Sequence, residues 1–139
     1  GEVEYSCLEI AKAYSSADQP DLSRICGISY LEEGQVRETR ARALTKDLDA
    51  IPFPDREGMD HSAYMDVAFL GSPTAFVLTA RGCPFKCTFC STHLTYNYSA
   101  YYRSPENVVA EVEEVVDKHG VTNIYFIDDT FTLKPRRIE

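Results

Sequence analysis

Three thiols fall within one short stretch, Cys83-Pro84-Phe85-Lys86-Cys87-Thr88-Phe89-Cys90, and two adjacent carboxylates stand further on at Asp128-Asp129. Cysteines this crowded, in a chain whose cysteine count of five is odd, point to a metal rather than to a disulfide framework. Three thiolates can hold three irons of a cubane cluster, whereas an electron-carrying ferredoxin supplies four cysteines per cluster. One iron would then stay open to a chelating ligand. Joined by His93, in the spacing Cys87-x-x-Cys90-x-x-His93, the same thiols could instead build a tetrahedral Cys3His zinc site. A plain iron-sulfur electron-transfer module is the third reading, and it needs a fourth ligand. Cys7 and Cys26 stand apart and are expected to be inert buried thiols.

These groups need elements to hold them. Ala75-Phe76-Val77-Leu78-Thr79 is a compact apolar run of the length of a buried strand, and the cysteine loop follows it directly. Gly82 allows a tight backbone turn at the loop's entry, and Pro84 stiffens it. Ser104-Pro105-Glu106 combines a hydroxyl cap, a first-turn proline and an acidic residue at the positive helix end, which predicts a helix over 105–119 closed by Gly120. Val108, Val109, Val112, Val115 and Val116 are its expected apolar stripe, with Glu111, Glu113, Glu114 and Asp117 mostly off it. A second β-prone run over 123–127 ends at Asp128-Asp129-Thr130.

Strand, loop, helix, strand is the order of a parallel unit with a right-handed crossover. Loops leaving the carboxyl ends of such strands share one face, where α/β barrels and open sheets place their active sites. The cysteine loop and Asp128-Asp129 are therefore expected to meet in space. That setting also disfavours the zinc reading. The plainer role for the aspartates is to cap the next turn or to stay solvated. Tyr96, Tyr98, Tyr101 and Tyr102 form an aromatic run that suits packing at least as well as a substrate wall. His61 and His119 are read as surface or helix-end residues.

Upstream, Leu8, Ala11 and Tyr14, with Cys7 alongside, mark a short amphipathic helix over 4–15, stopped by Gln19-Pro20-Asp21. Runs at 27–31 and 36–39 flank Glu32-Glu33-Gly34-Gln35 and predict a two-stranded ribbon. Pro52, Pro54, Gly58 and Pro73 punctuate a weakly patterned stretch, read as a linker over 50–73 with room for a short helix at 61–65. The net charge of −8 argues against a broad nucleic-acid surface, and Arg37, Arg40 and Arg42, the sole basic cluster, read as a solvated strand edge. No signal peptide and no apolar run long enough to span a bilayer is visible, so a soluble cytoplasmic protein is expected. The start at Gly1 and the stop at Glu139 suggest a piece of a longer chain.

At this point a resemblance becomes specific. Cys83-x-x-x-Cys87-x-Phe89-Cys90 resembles the Cys-x-x-x-Cys-x-aromatic-Cys signature of radical S-adenosylmethionine (SAM) enzymes. The resemblance implies a 4Fe-4S cluster on Cys83, Cys87 and Cys90, with S-adenosylmethionine chelating the open iron through its amino and carboxylate groups and Phe89 beside the adenine. The segment after the second strand often carries Gly-Gly-Glu-Pro in that family. Here it reads Ile127-Asp128-Asp129-Thr130-Phe131, similar to a subgroup with an Asp-Asp pair, which makes Asp128 and Asp129 both candidates for the methionine amino group. The start of the chain with its helix, Gly27-Ile28-Ser29-Tyr30, and the stretch from Asp47 to Pro54 resemble the end of a cobalamin-binding domain and its linker. Arg103-Ser104-Pro105-Glu106-Asn107-Val108-Val109 recurs in that cobalamin-associated subgroup.

The expected architecture is thus α/β: residues 1–49 as the tail of a Rossmann-like cobalamin-type domain, 50–73 as linker, and 74–139 as the first β-α-β segment of a partial TIM-like radical SAM barrel. The histidine loop that contacts cobalamin is absent, so cobalamin is an expectation for the full-length protein alone. The resemblance further implies reductive cleavage of S-adenosylmethionine to a 5′-deoxyadenosyl radical, a small-molecule substrate, and a reductase, flavodoxin or ferredoxin as electron donor. Methylation, cyclisation and rearrangement all fit. A transfer-RNA methylthiotransferase is the nearest enzyme alternative, disfavoured by the acidic charge and the cobalamin-like start. No residue is assigned to catalysis itself, and these residues alone, with open strand edges, are expected to be inactive and loosely packed.

Overall fold

The structure, a computed structural model, describes residues 2–60 and 73–139 and divides the chain into two units, Gly1–Thr45 and Lys46–Glu139.

In the first unit, helix α1 (Glu4–Ser16) opens with Glu4 in its first turn, where a carboxylate favours the positive helix end. Strands β1 (Ser29–Glu32) and β2 (Gln35–Glu38) pair antiparallel around Glu33-Gly34. Both turn residues have positive φ, 51° and 78°, the backbone of a two-residue hairpin that follows strand twist. Arg42 ties the unit together by donating to Ser6 Oγ at 3.0 Å, to the Cys26 carbonyl at 3.2 Å and to the Glu9 carboxylate. This member of the basic cluster is therefore paired rather than solvated, and the carboxyl of Glu9 is held below its ordinary range, chiefly by that hydrogen bond.

Two further expectations are corrected here. Cys7 is exposed and Cys26 half-buried, because it is Ser6 that turns inward from α1 and donates to the Cys26 carbonyl. Leu8 and Tyr14, read as an inward face, are exposed as well. Among the described residues of this unit the β1–β2 pair is antiparallel and there is no parallel strand pair.

The second unit is built on the expected β-α-β order. Strand β3 (Thr74–Val77) pairs in parallel with β6 (Asn123–Phe126), in the register Ala75↔Ile124 and Val77↔Phe126, and Ile127 N–H extends the ladder to the Val77 carbonyl at 3.1 Å. Helix α3 (Pro105–His119) makes the crossover. Ser104 Oγ accepts from Asn107 N–H at 3.1 Å at its start, and a left-handed Gly120 closes it. Ala75, Val115 and Val121 form the core with Ile124 packed on it, so the alternating pleat of β3 sends Ala75 and Val77 inward and leaves Phe76 exposed.

The buried face of α3 is not the full valine stripe. Val108 and Val115 are buried, Val109 and Val116 are exposed, and Glu111 lies between the buried pair at 1% exposure. Glu111 can sit there because Arg56 and Arg103 pair with it from two directions.

Residues 46–60 contain no helix or strand, yet Leu48 and Arg56 are buried, and this stretch belongs to the second unit. Of the linker expected over 50–73, residues 50–60 thus lie within that unit. Residues 61–72, with the short helix expected at 61–65, lie outside the described residues. No helix among the described residues is long and apolar enough to cross a membrane.

Candidate functional site

The cysteine segment leaves the carboxyl end of β3 through a closed base. Strand β4 (Ala80–Arg81) pairs antiparallel with β5 (Tyr101–Tyr102), and Arg103 N–H donates to the Thr79 carbonyl at 3.0 Å, so residues 82–100 form an excursion whose two ends are held side by side. Two polar networks fix this base. In one, Glu111 receives Arg56 and Arg103, whose guanidinium groups also donate to the carbonyls of Phe76 at 3.1 Å and Leu78 at 2.8 Å on the edge of β3. In the other, Arg137 donates to Thr79 Oγ1 at 3.0 Å, to the Thr79 carbonyl at 2.7 Å and to the Arg103 carbonyl at 3.0 Å.

Asp128 completes the second network. Its carboxylate accepts from the Thr79 hydroxyl, from Thr79 N–H at 2.6 Å and from Ala80 N–H at 3.0 Å. Thr79 is 1% exposed, and its hydroxyl receives Arg137 while donating to Asp128. Asp128 therefore holds the turn between β3 and β4, while its neighbour Asp129 is exposed with no hydrogen bond to its carboxylate among the described residues. Either aspartate was a candidate for the same ligand contact. The two face different duties because successive side chains in the extended segment leaving β6 point opposite ways.

Gly82 shows why the loop must begin where it does. It is buried with φ at +83°, and a Cβ there would lie 2.3 Å from the Ser99 carbonyl oxygen and 2.8 Å from the Tyr96 ring. Beyond it the loop is irregular up to helix α2 (Thr92–Tyr96), an element with no clear sequence signal. Cys83 is half-buried with Sγ 3.3 Å from Thr130 Oγ1, which brings the cysteine loop and the turn after β6 together. Cys87 is exposed. Cys90 is half-buried, shares a 3.3 Å hydrogen bond with Thr92 Oγ1, and donates its N–H to the Cys87 carbonyl at 3.1 Å. The Thr92 hydroxyl, followed by the Thr92 backbone, holds the Cys90 thiol below its ordinary pKa against the opposing effects of burial and of Asp129.

Phe89 is 92% exposed, and His93 directs Nδ1 to the Cys90 carbonyl at 2.9 Å while its ring stacks on Tyr98 at 5.2 Å. Among the described residues no three His, Cys, Asp or Glu side chains converge on one point, so neither the three thiols alone nor the set with His93 is drawn into a closed metal site. The donor set still fits a cluster: three soft thiol ligands sit on a loop with freedom to gather them, held at a fixed base. Sequence reasoning missed Thr92 and Arg137, which lie in no motif, gave Thr130 no role although it stands in the segment after the second strand, and missed Arg56, which stood in the expected linker.

Residues 77–139, which hold all three loop cysteines and both aspartates, match the radical SAM superfamily. The matched part, residues 77–139, belongs to the radical SAM superfamily. The chain is 36% identical over 137 residues to an uncharacterised methyltransferase of Pyrococcus horikoshii, covering 99% of this chain and 29% of that protein. It is 30% identical over 138 residues to the anaerobic magnesium-protoporphyrin IX monomethyl ester cyclase of Cereibacter sphaeroides, covering 99% of this chain and 22% of that one. A hopanoid C-2 methylase of Rhodopseudomonas palustris is 28% identical over 85 residues, 61% of this chain and 15% of the methylase. The chain thus spans less than a third of the length of these relatives. No solved structure matches it.

Proposed function

We propose that this chain carries the cluster loop and the first β-α-β unit of a radical SAM enzyme that methylates or cyclises a small-molecule substrate. The observation that carries the reading is the placement of Cys83, Cys87 and Cys90 on an excursion held at the carboxyl end of a parallel strand pair, with Thr130 of the next strand's turn at 3.3 Å from the Cys83 sulfur. When bound, a 4Fe-4S cluster and S-adenosylmethionine supply one-electron cleavage of a carbon-sulfur bond and hydrogen abstraction.

The chain's own residues divide the remaining work. Cys83, Cys87 and Cys90 would hold the cluster through their sulfurs. Asp129, exposed beside the loop, would accept from the methionine ammonium, while Asp128 keeps the β3–β4 turn in place. Phe89, an exposed ring between two ligand cysteines, would cover the adenine and exclude water from one side. Residues 1–49 are taken as the end of a cobalamin-type domain, 50–73 as the junction and 74–139 as the start of the barrel. Cobalamin in the full-length protein, and a flavodoxin, ferredoxin or reductase as electron donor, belong to the same reading. It is supported by relatives named as methyltransferases and cyclases that align through both parts of the chain.

The test is anaerobic reconstitution of the full-length protein with iron and sulfide, followed by electron paramagnetic resonance of the reduced protein with and without S-adenosylmethionine. The expected signal is that of a 4Fe-4S cluster that changes when S-adenosylmethionine is added, and is lost in Cys83→Ala, Cys87→Ala and Cys90→Ala. Stoichiometric zinc, or a cluster indifferent to S-adenosylmethionine, would overturn the reading.

A further inference from the structure

Two of the three loop thiols have a threonine hydroxyl as neighbour, and the two hydroxyls come from different elements. Thr130, on the turn after β6, places Oγ1 3.3 Å from Cys83 Sγ, and Thr92, at the start of α2, places Oγ1 3.3 Å from Cys90 Sγ. Cys87, the exposed member, has no hydroxyl against its sulfur among the described residues. Neither threonine belongs to the cysteine signature, and both are half-buried.

The direction of each bond follows from the charge of the sulfur. As thiols, Cys83 and Cys90 carry their own hydrogen and can donate to the threonine oxygens, and the Thr130 hydroxyl is then free to donate to the Asp129 carbonyl at 2.8 Å. As thiolates they have no hydrogen to give. The single hydroxyl hydrogen of Thr130 then has two acceptors, a neutral carbonyl and an anionic sulfur, and bonds to an ionised acceptor are about twice as strong as neutral ones. Both hydroxyls should turn their hydrogen to sulfur once the thiols are deprotonated.

Hydrogen bonds to the sulfurs are one of the levers that set the potential of an iron-sulfur cluster, because they stabilise the more negative, reduced state. We infer that Thr92 and Thr130 are potential-setting residues, each donating a hydroxyl hydrogen bond to one cluster cysteine and so making the cluster easier to reduce, with Cys87 left as the untuned corner. This rests on the cluster reading above and goes beyond it, since the cysteines could hold a cluster with neither hydroxyl present.

The test is a reductive titration with dithionite and mediators, followed by electron paramagnetic resonance, on the full-length reconstituted protein and on Thr92→Val and Thr130→Val. Each variant is expected to move the midpoint to more negative potential, with a roughly tenfold loss of reduced cluster at a fixed potential, equivalent to about 59 mV for one electron. The double variant should move by about the sum, and Thr92→Ser and Thr130→Ser, which restore the hydroxyl, should return to the parent midpoint. If a valine misfits, Thr92→Ala and Thr130→Ala make the same test with less bulk. Valine or alanine variants with the parent midpoint overturn the inference, as do serine variants that shift as far as the valines. Failure of the unaltered protein to form a reducible cluster overturns the functional reading itself, and is seen before any threonine is changed.

Discussion

The base of the cysteine excursion and the excursion itself are built on opposite terms. At the base, every polar group that turns inward is answered: Glu111 by two arginines, Thr79 by Asp128 and Arg137, and the edge carbonyls of Phe76 and Leu78 by guanidinium groups. In the loop, Cys87 is exposed, Phe89 stands almost wholly in solvent, and the backbone from 83 to 90 adopts no regular element. A buried charge is costly unless it is paired on all sides, so the base has few alternative arrangements. An irregular exposed loop has many. The contrast teaches where precision is needed before a cofactor arrives and where it can be supplied afterwards. The base fixes the position of the loop, and the cluster would fix its shape.

The sharpest way to break that contrast is to empty the centre of the base. Glu111→Ala leaves Arg56 and Arg103 buried and unpaired, and removing one partner from a buried charge cluster costs about 3–5 kcal/mol. The unfolding midpoint in urea should fall accordingly with an unchanged slope. A loss below about 1 kcal/mol, the scale of an exposed ion pair, would show that the triad is not the fixed point of the base. Next comes the hinge between the two regions. Gly82→Ala places a Cβ against the Ser99 carbonyl at a positive φ, which costs an L residue about 1–2 kcal/mol before the clash is counted. Its effect should concentrate locally, as faster amide hydrogen exchange over residues 82–100, while α3 keeps its protection.

How much of this could be read beforehand follows the same division. The helix over 105–119 was legible to the residue, because a cap, a proline and a left-handed glycine are local signals that no tertiary contact needs to supply. The parallel strands were legible within a residue or two, since β-prone apolar runs bounded by turn residues admit few other readings. Glu111 was misplaced: its spacing of three from Val108 and four from Val115 puts it on the buried face, but a carboxylate is assigned outward by default unless its partners are known. Those partners, Arg56 and Arg103, lie 55 and 8 residues away along the chain. The pairing of β4 with β5 was equally hidden, because two-residue strands have no period to detect. In the site, the cysteines declared themselves by type and spacing. The threonines beside their sulfurs, and the separate fates of the two aspartates, depend on where the turn after β6 lands.

That last difference gives the finest test. Asp128 is embedded in the base and Asp129 faces outward, so identical substitutions should have unlike effects. In Asp128→Asn, the remaining oxygen can still accept from Thr79 and Ala80 N–H, but the amide nitrogen meets the Thr79 hydroxyl that donated to the carboxylate, and the loss of charge-assisted bonds should cost about 1.5–3 kcal/mol of stability. In Asp129→Asn, an exposed group changes and stability should hold within about 0.5 kcal/mol. The affinity of the reconstituted protein for S-adenosylmethionine, followed by the cluster signal, should instead fall by roughly tenfold, as expected when one charge-assisted contact to the ligand is weakened. The reverse pattern, with Asp129→Asn unfolding the protein and Asp128→Asn losing only ligand, would move the ligand contact to Asp128. The turn after β6 would then belong to the adaptable region rather than to the fixed one.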